Sequence, residues 1–147
     1  IELTCDDGGK LLLDGREAEV DKDLKGFFVG PTIFENISPG MRIVKEEIFG
    51  PVVNLIRIKD LDEAIEIIDS IPYGNAASIY TSSGRRAREF RTRVEAGNIG
   101  INIGVPAPVA YFPFAGRKQS FLGDLHAQGR DVIDFFTDRK VVITRWL

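Results

Sequence analysis

A single cysteine in 147 residues excludes an internal disulfide, and Cys5 standing alone fits a reducing compartment. Charge of one sign is scarce too. The 22 acidic and 19 basic residues leave a net charge of −3, which gives no general basis for gripping nucleic acid or an anionic membrane. Long apolar runs are also lacking: residues 99–116 carry no charge, but Gly100, Gly104, Pro106, Pro108 and Pro113 interrupt them and forbid a membrane-spanning helix. No charged-then-apolar leader precedes Ile1, so nothing points to secretion. The expected setting is the cytoplasm, or an organelle matrix such as the mitochondrial one after loss of a presequence. No set of side chains is expected to hold a metal.

What is present is ordinary in bulk and informative in order. A content of 44% hydrophobic and 28% charged residues is that of a soluble globular chain, not of a disordered or fibrous one. The length suits one domain, or one domain with an arm, burying roughly two-thirds of its unfolded surface. Asp6-Asp7-Gly8-Gly9-Lys10 reads as a turn, Leu11-Leu12-Leu13 as a short strand, and Asp14-Gly15-Arg16 as a second turn. Residues 17–25 are mostly polar and predict an exposed hairpin or loop. On either side of Gly30-Pro31, residues 27–29 and 32–34 predict extended chain covering the core.

Residues 60–68 place Leu61, Ala64, Ile65 and Ile68 on one helical face, with Asp60 positioned to cap the start, Glu63 to reach back, and Pro72 to end it. Residues 76–80 read as a strand. Ser82-Ser83-Gly84 opens a second helix whose inner face is Ala87, Phe90 and Val94, and Gly97 is expected to stop it as a left-handed C-terminal cap. Arg85, Arg86, Arg88, Arg91 and Arg93, interleaved with Glu89 and Glu95, read as a solvated helix face in preference to a phosphate patch. Ile99, Ile101 and Ile103 alternate along the next strand, residues 98–103. With residues 52–58 these pieces give strand, helix, strand, helix, strand, the pattern of an α/β fold on a parallel sheet whose ligands sit beyond the carboxyl ends of the strands. The loop at residues 104–117 lies where a substrate pocket belongs. The segment beginning at Lys140 and finishing at Trp146 alternates Val141 and Ile143 against Val142 and Thr144, and predicts a strand that pairs outside the core.

The most informative element is Glu46-Glu47-Ile48-Phe49-Gly50-Pro51, two carboxylates and an aromatic ring at a Gly-Pro corner ahead of an apolar run. A carboxylate there can accept two hydrogen bonds from a vicinal diol such as a ribose, and the ring offers a flat wall to a planar heterocycle. On residue chemistry alone a solvated acidic turn ahead of a strand fits the same residues.

Phe28-Val29-Gly30-Pro31-Thr32-Ile33, Lys45-Glu46-Glu47-Ile48-Phe49-Gly50-Pro51-Val52, Asp62-Glu63-Ala64-Ile65, Tyr73-Gly74-Asn75 and Pro113-Phe114 follow one another along nearly the whole chain. In that order they resemble the C-terminal third of the aldehyde dehydrogenase superfamily. Asn102-Ile103-Gly104-Val105-Pro106-Ala107-Pro108, Pro113-Phe114-Ala115-Gly116 and Ser120-Phe121-Leu122-Gly123-Asp124-Leu125-His126 are similar to the CoA-acylating methylmalonate-semialdehyde branch, and Ala115 and residues 121–124 depart from the general family pattern.

The resemblance implies an NAD-dependent oxidation of malonate or methylmalonate semialdehyde through a cysteine thioester, with loss of carbon dioxide and transfer to CoA as co-substrate. It implies Glu47 as the acid that binds the nicotinamide-ribose hydroxyls and Phe49 as the ring beside it. Phe114, with Tyr111 and Phe112 close by, would line the aldehyde pocket, although a core or loop-anchoring ring accounts for Phe114 equally. Asn102 would stand near a polar position beside the pocket. Arg117, Lys118, Asp124 and His126 read as loop-ordering groups, and Pro31, Gly50 and Pro51 as backbone-shaping ones.

No catalytic residue is assigned. Cys5 is flanked by Asp6 and Asp7, a setting opposite to the one that activates a nucleophile. The family's nucleophile motif and general base would lie before Ile1, so the chain reads as an enzyme fragment, inactive alone. Residues 1–137 would be the C-terminal portion of the catalytic domain, and residues 138–147 an arm joining subunits into a homodimer or homotetramer. An internal edge strand is the alternative for the arm. For the whole, the alternatives are a general, non-acylating NAD(P)-dependent aldehyde dehydrogenase and a non-catalytic oligomerisation module.

Overall fold

In the computed structural model, which describes residues 1–19, 21 and 25–147, contacts divide the chain into two units, Ile1–Ile67 and Ile68–Leu147. The first opens with α1 (Glu2–Asp6), whose exit at Gly8 has a φ of 96°, a conformation open to glycine. Strand β1 (Lys10–Leu13) runs antiparallel to β2 (Thr32–Glu35), which in turn runs parallel to β3 (Val52–Asn54), with a short α2 (Arg42–Lys45) between them. The middle strand β2 alternates inward Thr32 (1% exposed) and Phe34 (0%) with half-buried Ile33 and Glu35. Phe34 gathers Ile37, Ile43, Leu11, Met41, Val44, Val52 and Ile56 into a core. Residues 32–34 are therefore the centre of this sheet and not its cover, while Phe27, Phe28 and Val29 are exposed.

The turn at Asp14 is built as expected. Asp14 caps a single 3₁₀ turn, Gly15–Glu17, by accepting from the Arg16 amide, and the Arg16 guanidinium hydrogen-bonded to it holds its carboxyl down to about 2. Gly15 is required there because a Cβ would sit 1.9 Å from the Gly30 carbonyl oxygen. The polar stretch at residues 17–25 falls in part outside the described residues.

The seven-residue strand expected over residues 52–58 forms only as Val52–Asn54, because its partner β2 offers register no further than Phe34 opposite Asn54. The expected first helix is α3 (Leu61–Ser70), whose length carries the division between the two units. Asp60 accepts from the Glu63 amide at 2.9 Å, and Glu63 reaches back to the Lys59 amide at 2.7 Å.

The second unit contains β4 (Tyr73–Gly74), β5 (Ala76–Ile79), α4 (Gly84–Arg93), β6 (Asn98–Ile101), β7 (Arg117–Lys118) and α5 (Gly129–Phe136). Strands β5 and β6 are parallel, Ala76 opposite Asn98 through Ile79 opposite Ile101, and joined by α4, the right period and order for a β–α–β unit. Ser83 caps α4 by accepting from the Arg86 amide, and Ala87, Phe90 and Val94 are its buried face. Its arginines are exposed, Arg93 pairing with Glu89 at 2.7 Å one turn back.

Gly97 does not end α4 in a left-handed cap; that helix closes at Val94 in an extended conformation, and Gly97 has no positive φ. Its requirement is close approach: a Cβ would lie 2.4 Å from the Gly116 nitrogen. The segment at residues 140–146 forms no strand among the described residues, and Val141, Val142, Ile143 and Trp146 are 74–95% exposed, an unpaired apolar edge within the chain. No helix among the described residues is long and apolar enough to cross a membrane.

Candidate functional site

At the Glu46–Pro51 corner, α2 buries Ile43 and passes into extended chain at Glu46 (φ −100°, ψ 137°). The Gly50 amide then donates to the Ile48 carbonyl and the Val52 amide to the Gly50 carbonyl, both at 2.8 Å, while Pro51 accepts from the Thr32 amide at 2.8 Å and ties the corner to β2. Two successive tight turns leave Phe49 95% exposed. The two carboxylates differ. Glu46 is engaged by the Arg42 guanidinium at 2.6 Å, a pairing that raises the arginine's affinity for its proton. Glu47 is exposed and has no hydrogen-bond or ion-pair partner among the described residues.

A carboxylate with all its acceptor positions open beside an open aromatic face suits a diol-bearing heterocyclic ligand. A cleft of about 140 Å³ adjoins this corner, with Phe34, Arg42, Glu46 and Ile48 among its walls. Glu47 and Phe49 stand outside that cleft.

In the second unit, the loop after β6 borders a cleft of about 390 Å³, walled by Asn98, Ile103, Pro106, Pro108, Phe112 and Ala115 among others. Of the three aromatic residues expected there, Phe112 lines this cleft; Tyr111 is 87% exposed and Phe114 38%, and neither forms part of its wall. Phe114 is anchored through its backbone, its amide donating to the Ala127 carbonyl at 2.7 Å in an isolated antiparallel bridge.

Asn102 is committed to the end of β6. With a φ of 57°, it accepts from the Thr81 amide at 2.8 Å and donates to the Thr81 carbonyl at 3.1 Å, so its side chain locks a strand terminus. Asn98, not Asn102, is the polar group joined to the pocket loop. Its side-chain amide donates to the Ala115 carbonyl at 2.5 Å and to the Asn75 carbonyl at 3.1 Å. The available signal was two Gly-Asn steps, Gly74-Asn75 and Gly97-Asn98, heading two strands that pair.

The branch-specific tail orders the loop. Arg117 pairs with Glu95 at 2.5 Å, and His126 stacks on Phe121 with ring centres 4.1 Å apart while both its amide and its ring Nδ1 meet Asp131, at 3.0 and 3.2 Å. Lys118, at a φ of 53°, directs its ammonium to three carbonyls at the end of α3: Ile68 at 3.1 Å, Asp69 at 3.0 Å and Ile71 at 2.9 Å. These carbonyls lie at a helix terminus, where Ile68 also accepts from the Ile71 amide at 3.4 Å, and a cation there meets the favourable end of the helix dipole. Replacing Lys118 by methionine keeps the aliphatic stem but removes the ammonium donor from all three carbonyls. The expected loss is about 1.5–3 kcal/mol, the range for charge-assisted hydrogen bonds, read as a lowered midpoint in chemical denaturation. Cys5 is an exposed residue of α1.

The sequence profile of the aldehyde dehydrogenase family matches residues 1–142, and the chain belongs to that family. It is 49% identical over 146 residues to a malonate-semialdehyde dehydrogenase of Halalkalibacterium halodurans, covering 99% of this chain and 30% of the relative. The crystal structure of a methylmalonate-semialdehyde dehydrogenase from Oceanimonas doudoroffii superposes with a TM-score of 0.95 at 42% identity, over 99% of this chain and 30% of that one. A Sinorhizobium meliloti protein described as a methylmalonate-semialdehyde dehydrogenase, solved in complex with NAD, also gives 0.95, at 38% identity and the same coverage. The chain thus spans about 30% of the length of these relatives.

Proposed function

We propose that this chain is the C-terminal part of a malonate- or methylmalonate-semialdehyde dehydrogenase that uses NAD, passes the acyl group to CoA and works in the cytoplasm. The supporting observation is the match over 99% of the chain, at 49% identity to a protein named malonate-semialdehyde dehydrogenase and, in three dimensions, at a TM-score of 0.95 to one named methylmalonate-semialdehyde dehydrogenase. When bound, NAD supplies the hydride acceptor. The residues of this chain fit such a group: Glu47 has a carboxylate free to accept from both hydroxyls of a ribose, and Phe49 presents an uncovered ring face. On the aldehyde side Phe112 lines the cleft beside the loop after β6, and the exposed rings of Tyr111 and Phe114 next to it supply further apolar wall once the remainder of the polypeptide closes over them. The nucleophile and general base come from the remainder of the polypeptide, so the chain is inactive by itself. The exposed apolar arm from Lys140 to Trp146 joins subunits as a dimer or tetramer by strand addition.

The test is product analysis with the full-length gene product, malonate or methylmalonate semialdehyde, NAD, and CoA present or omitted. Acyl-CoA formed in step with NADH is expected. Free acid formed at the same rate without CoA would instead make the enzyme a non-acylating aldehyde dehydrogenase, and no NADH with any aldehyde would leave the oligomerisation module.

A further inference from the structure

Phe114 is held from both sides by groups outside its own loop. Its amide is fixed by Ala127, and the next carbonyl, that of Ala115, by the Asn98 side chain. Asn98 is 9% exposed at the first position of β6, and its own amide donates to the Asn75 carbonyl at 2.9 Å, so the strand register sets where its side chain starts. The side-chain nitrogen carries two protons and has within reach the backbone carbonyls of Ala115 and Asn75 and, at 3.4 Å, the Asn75 side-chain oxygen. One residue earlier, the absent side chain of Gly97 admits the Gly116 backbone. Residues 97–98 therefore clamp residues 115–116 with one close contact and one directed hydrogen bond. Aspartate would face both carbonyls with acceptors only; leucine, of similar shape, would leave the Ala115 carbonyl without its donor.

We propose that Asn98 is a positioning residue for the aldehyde pocket, setting the backbone from Phe114 to Gly116 and through it the placement of the Phe114 ring. This rests on the reading of Phe114 as a pocket wall.

The experiment is a double-mutant cycle on the full-length gene product, with KM and kcat measured for the semialdehyde and for NAD. Asn98→Leu is expected to raise the aldehyde KM about tenfold, within the range that small misplacements of a positioning group produce. Its kcat and its KM for NAD should stay within about twofold, since uniform binding alone is lost. Added to Phe114→Ala it should change the aldehyde KM little further, because both act through one ring. Should Asn98→Leu fail to fold, Asn98→Ser, which keeps one donor, is expected to give an intermediate rise. Additive effects, or a fall in kcat with the aldehyde KM unchanged, would overturn the positioning role while leaving the pocket intact. A Phe114→Ala enzyme with normal aldehyde KM would instead remove the pocket reading, and the role of Asn98 with it.

Discussion

Glu47→Gln in the full-length gene product is expected to lower the rate of hydride transfer to NAD about 10- to 100-fold, which is the loss of one charge-assisted hydrogen bond of about 1.5–3 kcal/mol at 1.4 kcal/mol per decade. Glutamine keeps the length of the side chain and one acceptor oxygen. It replaces the second acceptor by an amide donor, which faces a hydroxyl's lone pair where a proton was received before. The loss should appear in single-turnover rates, since the ribose must be held while the nicotinamide ring is aligned. Glu46→Gln is the internal control: it removes only the charge from the solvent-exposed Arg42 pair and should leave the kinetics unchanged. Equal rates for wild type and Glu47→Gln would refute the ribose role and leave the corner a solvated acidic turn.

The division of labour between these two acids was half visible in the sequence. Arg42 stands four residues before Glu46, a spacing that pairs charges on a helix, yet the segment is too short to announce itself as helical. Local signals were legible wherever the cause was local. Asp60 with Glu63, Ser83, and the buried face of Ala87, Phe90 and Val94 all depend on neighbours within one or two turns.

Features imposed from a distance were not legible. The apolar run after Pro51 ends its pairing at Asn54, opposite Phe34, one residue before β2 itself ends at Glu35, and nothing near Thr32 in the sequence reveals that β2 has strands on both its sides. The position of Gly97 after a helix suggests a capping role, while the residue that requires it, Gly116, lies in a loop 19 residues on in the sequence. The role of Asn98 is hidden for the same reason, since its acceptor, Ala115, is remote in sequence. At the candidate site the chemistry was readable as residue types, but whether a carboxylate is already occupied is a property of the fold.

Phe34→Ala is expected to cost about 3–5 kcal/mol, the largest stability effect among single changes in the first unit. Phe34 is fully buried on the central strand of the three-stranded sheet, and its ring organises Ile37, Ile43 and the partly buried Leu11, Val52 and Ile56 around it. Truncation removes an aromatic payload and leaves a void that the sheet, paired on both sides of β2, cannot collapse into. The ring also walls the 140 Å³ cleft beside the Glu46–Pro51 corner, so the new space opens onto it and admits water to the core. The measurement is the midpoint of urea denaturation followed by circular dichroism on the full-length gene product, compared with Phe28→Ala. Phe28 is 52% exposed, and its replacement is expected to stay within about 0.5 kcal/mol of wild type. If the two substitutions moved the midpoint equally, residues 32–34 would be covering chain after all; a shift confined to Phe34 places the core strand there, with the ligand-facing corner tied to it through the Thr32–Pro51 hydrogen bond.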